Sequence, residues 1–355
     1  MSKRILVTGA GTGASNNLIR SLKAEDAALF VVGCNHDRFV LKHATADRVY
    51  LIPATTDPRF PEALLRLATA ERLDLLIPTT DTDVTALSDL RETLGQRVFL
   101  PDHAVIRLCQ DKYDLTAALR ARGIPAPETY AVTDLNALGE LFDRLGGARP
   151  VWCRARTGSR SLGAAPMTRP DQAQAWILYW EEMRGVPATS FTLSEYLPGR
   201  DFLCQSLWKD GSLVLANTFE RLSYFGGENS PSGVSSLSSL AKTVADPRLV
   251  DVCRRAIETV APGTSGAFSI DLKENRRGVP CITEINAGRF FIGMTAFSHV
   301  GKHNMPAIFV RLACGERVDL HDEYDAVEGY YLVRDLDNPP GVFQEDELFD
   351  EVRVL

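Results

Sequence analysis

The sequence has little of what most metal-binding or disulfide-bonded scaffolds need. Its 355 residues include seven cysteines and six histidines, with no Cys-x-x-Cys pair and no Cys/His cluster. This spacing indicates neither a structural zinc site nor a disulfide framework. The cysteines lie singly, mostly in apolar runs, which is typical of buried small hydrophobic residues. They are Cys34, Cys109, Cys153, Cys204, Cys253, Cys281 and Cys314.

The sequence also lacks a surplus of positive charge and long apolar runs. The formal net charge is −7 and the pI is about 5.5, which argues against a general nucleic-acid binder. No apolar stretch near Met1 is long enough for a signal peptide or a membrane span. We therefore expect a cytoplasmic protein that binds neither nucleic acid nor membrane, and the length predicts two or three domains.

Short apolar runs alternate with helical patterns in the first hundred residues. This alternation predicts an α/β domain with a doubly wound parallel sheet. The apolar runs are Arg4–Thr8, Leu29–Val32, Val49–Pro53, Leu73–Pro78 and Val98–Pro101, and the helical patterns between them include Pro61–Glu71 and Val84–Leu94.

From residue 150 the pattern changes to strands joined by short turns. A turn at Lys209–Ser212 and another at Asn275–Gly278 predict two hairpins, and hence antiparallel sheets of α+β type. Gly226–Ser239 is expected to be a mobile loop between strands. The predicted helices are Asp111–Arg122 and Thr295–Cys314, and the predicted strands are Val151–Arg154, Phe191–Leu197, Phe202–Trp208, Leu213–Phe219, Ala267–Leu272, Val279–Ile285 and Tyr330–Arg334.

Acidic and amide side chains come together on the second hairpin. Asp271 ends one strand, and Glu284 and Asn286 lie thirteen and fifteen positions later on the other. Alternation puts Glu284 and Asn286 on one face, which Asp271 reaches from the paired strand. Such oxygen ligands suit Mg²⁺ together with phosphate oxygens. The alternative is a polar face on an exposed hairpin, but the apolar strand around Glu284 makes an unpartnered carboxylate costly there.

The hairpin carries a resemblance to a known family. Phe268–Asp271 followed by Ile282–Asn286 resembles the metal-binding signature of the ATP-grasp superfamily, which includes carbamoyl-phosphate synthase, biotin carboxylase and D-alanine–D-alanine ligase. The resemblance implies that Asp271, Glu284 and Asn286 hold two Mg²⁺ ions on the triphosphate of ATP, with Mn²⁺ as an alternative ion.

Four upstream segments follow the order of the superfamily. Gln110–Lys112 opens a helix, Val151–Arg154 is a strand that ends in a cation, Arg156–Gly163 stands in the place of the glycine-rich phosphate lid, and Leu193–Phe202 resembles the adenine hinge. A fixed cation at the end of an apolar strand suits phosphate. By this resemblance, the residues that bind ATP are Lys112, Arg154, Gly158, Ser159, Ser161, Gly163, Glu195, Tyr196, Leu197 and Asp201.

Two arginines are expected to act on the substrate. The resemblance places Arg289 at the acyl phosphate, although Ala287-Gly288 stands where many members carry one proline. Arg221 is expected to bind the substrate carboxylate, because a planar guanidinium group suits that anion. The alternative for Arg221 is an ion pair with Glu220 or another neighbour.

The resemblance, which covers residues 112–311, implies a fold and a domain division. The fold is α/β and α+β, with a Rossmann-like pre-ATP-grasp domain followed by a two-subdomain ATP-grasp fold with antiparallel sheets. The expected domains are residues 1–108, a small lid subdomain at 109–195, and a large subdomain with the metal site at 196–355.

The implied function is that of an ATP-dependent carbon–nitrogen ligase of EC 6.3 type. It would convert a carboxylate to an acyl phosphate and transfer the acyl group to an amine, with amino acids as the expected substrates. Many members form dimers, so a homodimer is compatible with the resemblance. Within the superfamily the acceptor is open, since carbamate, ammonia and a thiol are alternatives to an amino acid.

Two other functions remain open from the sequence. Gly9–Ala14 follows a strand and opens a helix, as in a dinucleotide-binding NAD(P)-dependent oxidoreductase, where Asp37 would stand near the ribose. A non-catalytic ATP-grasp protein would bind nucleotide without turnover. The pair His299 and His303, spaced four apart on the predicted last helix, lacks the acidic third ligand that a metal site needs.

Overall fold

The structure, a computed structural model, contains three β-sheets flanked by helices. It describes residues 3–146, 150–158, 161–235, 237–291, 293–335 and 341–347. The strands are β1 (Arg4–Thr8), β2 (Phe30–Asn35), β3 (Arg48–Leu51), β4 (Leu75–Ile77), β5 (Thr129–Ala131), β6 (Val151–Ala155), β7 (Ala165–Met167), β8 (Phe191–Glu195), β9 (Asp201–Lys209), β10 (Ser212–Tyr224), β11 (Ser238–Thr243), β12 (Gly266–Glu274), β13 (Pro280–Ala287), β14 (Tyr330–Val333) and β15 (Gly341–Gln344).

The helices alternate with the strands in the first domain and are sparser afterwards. The α-helices are α1 (Gly13–Glu25), α2 (Phe60–Ala70), α3 (Asp81–Asp89), α4 (Arg91–Leu94), α5 (His103–Gln110), α6 (Lys112–Ala121), α7 (Leu138–Arg144), α8 (Pro170–Arg184), α9 (Pro247–Val260) and α10 (Met305–Ala313). The 3-10 helices are Val40–His43, Gly95–Arg97, Leu135–Ala137, Ala188–Ser190, Gly227–Asn229 and Met294–His299.

The first sheet is parallel, in the order β3-β2-β1-β4, which confirms the predicted α/β domain. The strand predicted at Val98–Pro101 is wrong, because these residues form no strand. Pro101 has no N–H to donate to a neighbouring strand. The carbonyl of Leu100 accepts a hydrogen bond from Nη2 of Arg91 at 3.0 Å and not from a strand. The helical pattern Val84–Leu94 is divided between α3 and α4.

The other two sheets are antiparallel, as predicted. The smaller has the order β5-β8-β6-β7, and the larger has the order β13-β12-β9-β10-β11-β14-β15. Both predicted hairpins are present, since Lys209 pairs with Ser212 and β12 pairs with β13. The larger sheet extends beyond the predicted last strand, because β14 pairs with β15.

The helix predicted at Thr295–Cys314 is wrong, because this segment is divided into a 3-10 helix and α10. Between them, Gly301 lies against the buried carboxylate of Asp325, which accepts from the N–H of Lys302 at 3.1 Å. Asn304 then caps the new helix by accepting from the N–H of Ala307 at 3.1 Å. The histidines at 299 and 303 are therefore not on one helix.

The cores of the domains are apolar and contain most of the cysteines. Trp208, Phe268 and Phe202 are among the largest fully buried side chains of the larger sheet. Six of the seven cysteines are buried and Cys314 is exposed, which confirms the expectation for these thiols. Within the part of the chain that the structure describes, no helix combines the length and the apolar character needed to cross a bilayer.

Candidate active site

A cleft of about 610 Å³ lies where the three sheets approach one another. Most residues predicted to be functional line it: Lys112, Arg154, Gly158, Ser161, Glu195, Tyr196, Leu197, Asp201, Arg221, Asp271, Glu284, Asn286 and Arg289. Gly163 is not part of the lining, and the predicted Ser159 lies outside the described residues. The fold thus brings side chains that are up to 177 residues apart (289 − 112) to one cavity.

The hairpin of β12 and β13 supplies the candidate metal ligands. Asp271 lies directly opposite Glu284 in the register of the two strands, and an irregularity follows Asp271. Asn286 donates from Nδ2 to Asp271 Oδ2 at 3.1 Å, and Glu284 lines the same cleft as these two side chains. The described residues contain no cluster of three or more His, Cys, Asp or Glu side chains arranged to hold a metal ion. Two carboxylates and an amide therefore fit Mg²⁺ only if further oxygens, such as those of phosphate, complete its shell.

Arg221 lies at the centre of the cleft between two carboxylates. Its Nη1 is 2.6 Å from Asp271 Oδ1 and 3.1 Å from Asp201 Oδ1. Burial opposes its charge, but Asp271 and Asp201 outweigh burial and raise the pKa of Arg221. Burial in turn raises the pKa of Asp271 to about 6, although Arg221 acts in the opposite direction. Glu220, the other partner considered for Arg221, instead pairs with Lys242 at 3.4 Å.

Arg289 connects helix α3 to the candidate metal ligands. Its Nε donates to Asp81 Oδ1 at 2.5 Å, and its Nη2 donates to Asn286 Oδ1. Asp81 is the first residue of α3, whose N-cap Thr80 forms a capping box with Asp83. Because this box holds the helix start in place, Asp81 gives Arg289 a rigid support. The guanidinium group lies within the cleft, and its contacts in the structure are to protein oxygens.

Two more cations approach the hairpin from the smaller sheet and from α6. Lys112 is buried, and its Nζ donates to the carbonyl of Gly158 at 2.6 Å and lies 3.6 Å from Glu284 Oε1. Arg154 donates from Nη2 to the carbonyl of Thr283 at 2.9 Å. Its Nε is buried without a hydrogen-bond partner among the described residues, and burial lowers the pKa of Arg154 despite the nearby Glu284. A buried, unpartnered guanidinium nitrogen is suited to a phosphate oxygen.

Residues 156–158 and 161–163, the described part of the predicted lid segment, follow β6 along the chain. Arg156 is held by Asp111 at 2.6 Å, so its charge is already paired within the protein. Gly163 packs against the ring of Phe191, where a Cβ atom would clash at 2.5 Å. The close packing against Phe191 therefore explains why residue 163 is a glycine. Gly158 and Ser161 line the cleft with positive φ angles of 98° and 55°, and for Ser161 this is an uncommon conformation.

The predicted adenine hinge runs from the end of β8 into β9. Glu195, Tyr196 and Leu197 line the cleft, whereas Asp201 is engaged by Arg221 and by the hydroxyl of Tyr224. In the structure, Asp201 is therefore bound to protein donors.

Several lining residues were not among the predicted site residues. The ring centroid of Trp152 lies 6.2 Å from that of Tyr196, and Tyr224, Phe291 and the segments Thr79–Thr82 and Ser232–Ser235 complete the wall. Alternation along β6 places Trp152 on the same face as Arg154. The two segments reach the cleft through the packing of the sheets.

The Gly9–Ala14 loop packs against its own domain. A Cβ atom at Gly11, whose φ is +92°, would lie 1.9 Å from the carbonyl oxygen of Val40. Asp37, the acid considered for a ribose, accepts a hydrogen bond from the N–H of Val40 at 3.2 Å. Internal packing therefore explains this glycine without a bound dinucleotide.

Comparisons with known proteins identify similar structures. No family model matches the chain, and no curated protein matches its sequence. Biotin carboxylase from Campylobacter jejuni, in a complex with β-γ-ATP, has a TM-score of 0.71 at 14% identity, over 94% of this chain and 75% of that one. L-amino acid ligase from Bacillus licheniformis has a TM-score of 0.69 at 13% identity, over 93% and 79%.

A third structure extends the same likeness. The biotin carboxylase domain dimer of Hydrogenobacter thermophilus 2-oxoglutarate carboxylase, bound to MgADP, ADP and bicarbonate, has a TM-score of 0.71 at 15% identity, over 94% of this chain and 74% of that one. At such identities the likeness concerns the fold. These structures are of ATP-grasp enzymes, and the chain has the ATP-grasp fold.

Proposed function

We propose that the chain is an ATP-dependent carboxylate–amine ligase that works through an acyl phosphate and releases ADP and phosphate. The observation that carries the proposal is the convergence of the oxygen ligands on β12 and β13 with cations in one cleft. The cations are Lys112, Arg154, Arg221 and Arg289. Similar structures include biotin carboxylase and L-amino acid ligase, which supports this reaction class.

The charges in the cleft suit phosphoryl transfer. Mg²⁺ held by Asp271, Glu284 and Asn286 would neutralise the triphosphate; two ions are expected, with Mn²⁺ as an alternative. Lys112 and Arg154 contact backbone carbonyls in the structure. They would exchange these carbonyls for phosphate oxygens when ATP binds. Positioning and charge neutralisation do most of the work in this chemistry.

The two remaining arginines would act on the substrate. A substrate carboxylate oxygen would attack the γ-phosphorus and release ADP, while Arg289 would stabilise the charge on the phosphoryl group. The amine would then attack the acyl carbon of the acyl phosphate, with release of phosphate and loss of a proton. Arg221, which contacts Asp271 at 2.6 Å in the structure, would bind the substrate carboxylate.

The expected substrates are amino acids, and the name of the Bacillus licheniformis enzyme supports this class. Bound MgADP in the Hydrogenobacter thermophilus structure supports magnesium and adenine nucleotide, and its dimer supports a homodimer here. The roles of the hinge residues Glu195 to Leu197 and the domain boundaries at 108 and 195 remain part of the proposal.

The test is release of ADP and phosphate from ATP and Mg²⁺ with pools of amino acids added in pairs. We expect release that needs two particular substrates and that is lost in Glu284→Ala. The matched control is Glu258→Ala, on the exposed side of α9. ADP release that needs only one carboxylate would support formation of an acyl phosphate. The acceptor would then be a compound other than the amino acids in the pools.

Two results would replace the proposal. ATP binding without ADP release under any pool would indicate a non-catalytic nucleotide-binding protein. Binding of NAD(H) with an activity unaffected by Glu284→Ala would indicate an oxidoreductase. The packing of Gly11 against Val40 counts against the second result, and the complete ligand set on β12 and β13 counts against the first.

A further inference from the structure

Three cationic or titratable side chains lie on elements that pack against one another, since α1 and β14 both contact the 3-10 helix Met294–His299. Arg20 is on α1, His299 ends the 3-10 helix Met294–His299, and Arg334 directly follows β14. None of them lines the cleft described above. Within the described part of the chain, none of them is in an ion pair with a carboxylate: Arg20 donates to Asn17 Oδ1, and Arg334 donates to a backbone carbonyl.

The guanidinium group of Arg334 is half-buried and incompletely paired. Its Nη1 donates to the carbonyl of Ser238 at 3.4 Å, a long contact, while its Nη2 is buried and has no hydrogen-bond partner among the described residues. Gly293 allows this position, because a side chain there would overlap Nη2. The hydroxyl of Ser238 is also buried and finds no hydrogen-bond partner in the part of the chain that the structure describes. Unpaired buried donors of a cation are costly, so the arrangement calls for an acceptor.

The charges of the cluster act on one another. Partial burial and the charge of Arg20 lower the pKa of His299, and burial and Arg20 likewise lower the pKa of Arg334. Both effects mean that positive charge at this place is destabilised in the protein as it stands. An anion bound among the three groups would reverse this, because an opposite charge favours the charged form of each.

The segments that hold the cluster continue into the wall of the cleft. Phe291 lines the cleft two residues before Gly293, and Ser235 lines it three residues before Ser238.

We propose that Arg20, His299 and Arg334 form an anion-binding site for a carboxylate or phosphate group of a small-molecule ligand. A guanidinium fork suits either group, and the imidazole adds a donor. The site is separate from the ATP-grasp ligands, so it does not depend on the proposed ligase activity.

The test uses His299 as a probe. The imidazole resonances are followed by NMR against pH in the full chain, without nucleotide, and assigned with His299→Gln. Inorganic phosphate and acetate are added separately, with chloride keeping the ionic strength constant. We expect one of the two anions to raise the pKa of His299 by about 1 unit and to saturate in the millimolar range. The anion that does so identifies the ligand class.

Variants decide whether the three groups act together. Arg334→Gln is expected to weaken anion binding at least tenfold, and so is Arg20→Gln, a change at an exposed residue that leaves the core intact. Arg317→Gln, at a cation 90% exposed elsewhere, is the control and should bind as the wild type does. No shift of His299 with either anion up to about 50 mM, where a millimolar site is saturated, would overturn the proposal. Equal affinity in wild type and both cluster variants would also overturn it.

Discussion

Nη1 of Arg221 lies 2.6 Å from Oδ1 of Asp271, so a cation of the protein occupies the carboxylate that is proposed to bind metal. The other oxygen of Asp271 accepts from Asn286 at 3.1 Å. The charge of Asp271 is thus already paired within the chain, and a metal ion that binds this carboxylate competes with Arg221 for it. A nucleotide that brings both the ion and its own oxygens would make that exchange favourable.

Metal binding is therefore predicted to depend on nucleotide and on Glu284. Free Mn²⁺, followed by its electron paramagnetic resonance signal, should bind weakly to the chain alone and strongly with ATP present. Glu284→Gln should remove the ATP-dependent binding and lower ADP release by about 100-fold or more. Glu258→Gln should change neither quantity, and equal Mn²⁺ binding with and without ATP would contradict the prediction.

Asp81 is predicted to position Arg289. Asp81→Asn keeps the shape of the side chain but loses the charge that Arg289 contacts at 2.5 Å, so ADP release should fall by about 10- to 100-fold. In a double-mutant cycle with Arg289→Ala, the two losses should not add, because both act through one contact. Asp89→Asn, at the exposed end of α3, is the matched control. Additive losses would mean that Asp81 acts independently of Arg289.

Trp152 is predicted to report on nucleotide in the cleft. The chain has four tryptophans, and Trp152 lines the cleft next to Tyr196. ATP should change the tryptophan fluorescence of the wild type, and Trp152→Phe should abolish the change, whereas Trp180→Phe should preserve it. If ATP still changes the fluorescence of Trp152→Phe as it does that of the wild type, the nucleotide binds elsewhere.

The packing of the Gly9–Ala14 loop predicts opposite effects for two neighbouring glycines. Gly11→Ala should lower the free energy of unfolding by more than about 2 kcal/mol, because its φ is +92° and its Cβ would overlap Val40. Gly13→Ala meets no atom within 4 Å and should be neutral or stabilising by up to about 1 kcal/mol. Urea unfolding measures both. Equal stability of the two variants would show that the loop is not packed as described.

Thiol reactivity is predicted to report the intact fold. Burial raises the pKa of Cys109 and of Cys153 to about 12, so at pH 8 both remain protonated and inaccessible in the folded chain. Since only Cys314 is exposed among the seven, a disulfide reagent should titrate one thiol rapidly. Cys314→Ser should remove that phase, and unfolding in urea should release the others. Rapid reaction of several thiols would contradict the burial described here.

The sequence by itself determined the secondary structure around the site and the identity of the candidate metal ligands. Period-two alternation and the turns at 209–212 and 275–278 specified both hairpins, because strand faces and tight turns are local properties. The hairpin predicted that Asp271 reaches the face of Glu284 from the paired strand, and in the structure Asp271 lies opposite Glu284. The same local reasoning was wrong at 295–314, where the buried carboxylate of Asp325 interrupts the helix from a distance in the chain.

Only the tertiary structure decided which charges meet. The contact between Arg289 and Asp81 joins residues 208 positions apart, and the contact between Arg221 and Asp271 depends on two strands, β10 and β12, that flank β9. The cluster of Arg20, His299 and Arg334 likewise comes from three distant segments. Periodicity describes which way a side chain faces on its own element, but the partner of a charge depends on how the sheets and helices pack, because electrostatic and hydrogen-bond partners need only be close in space.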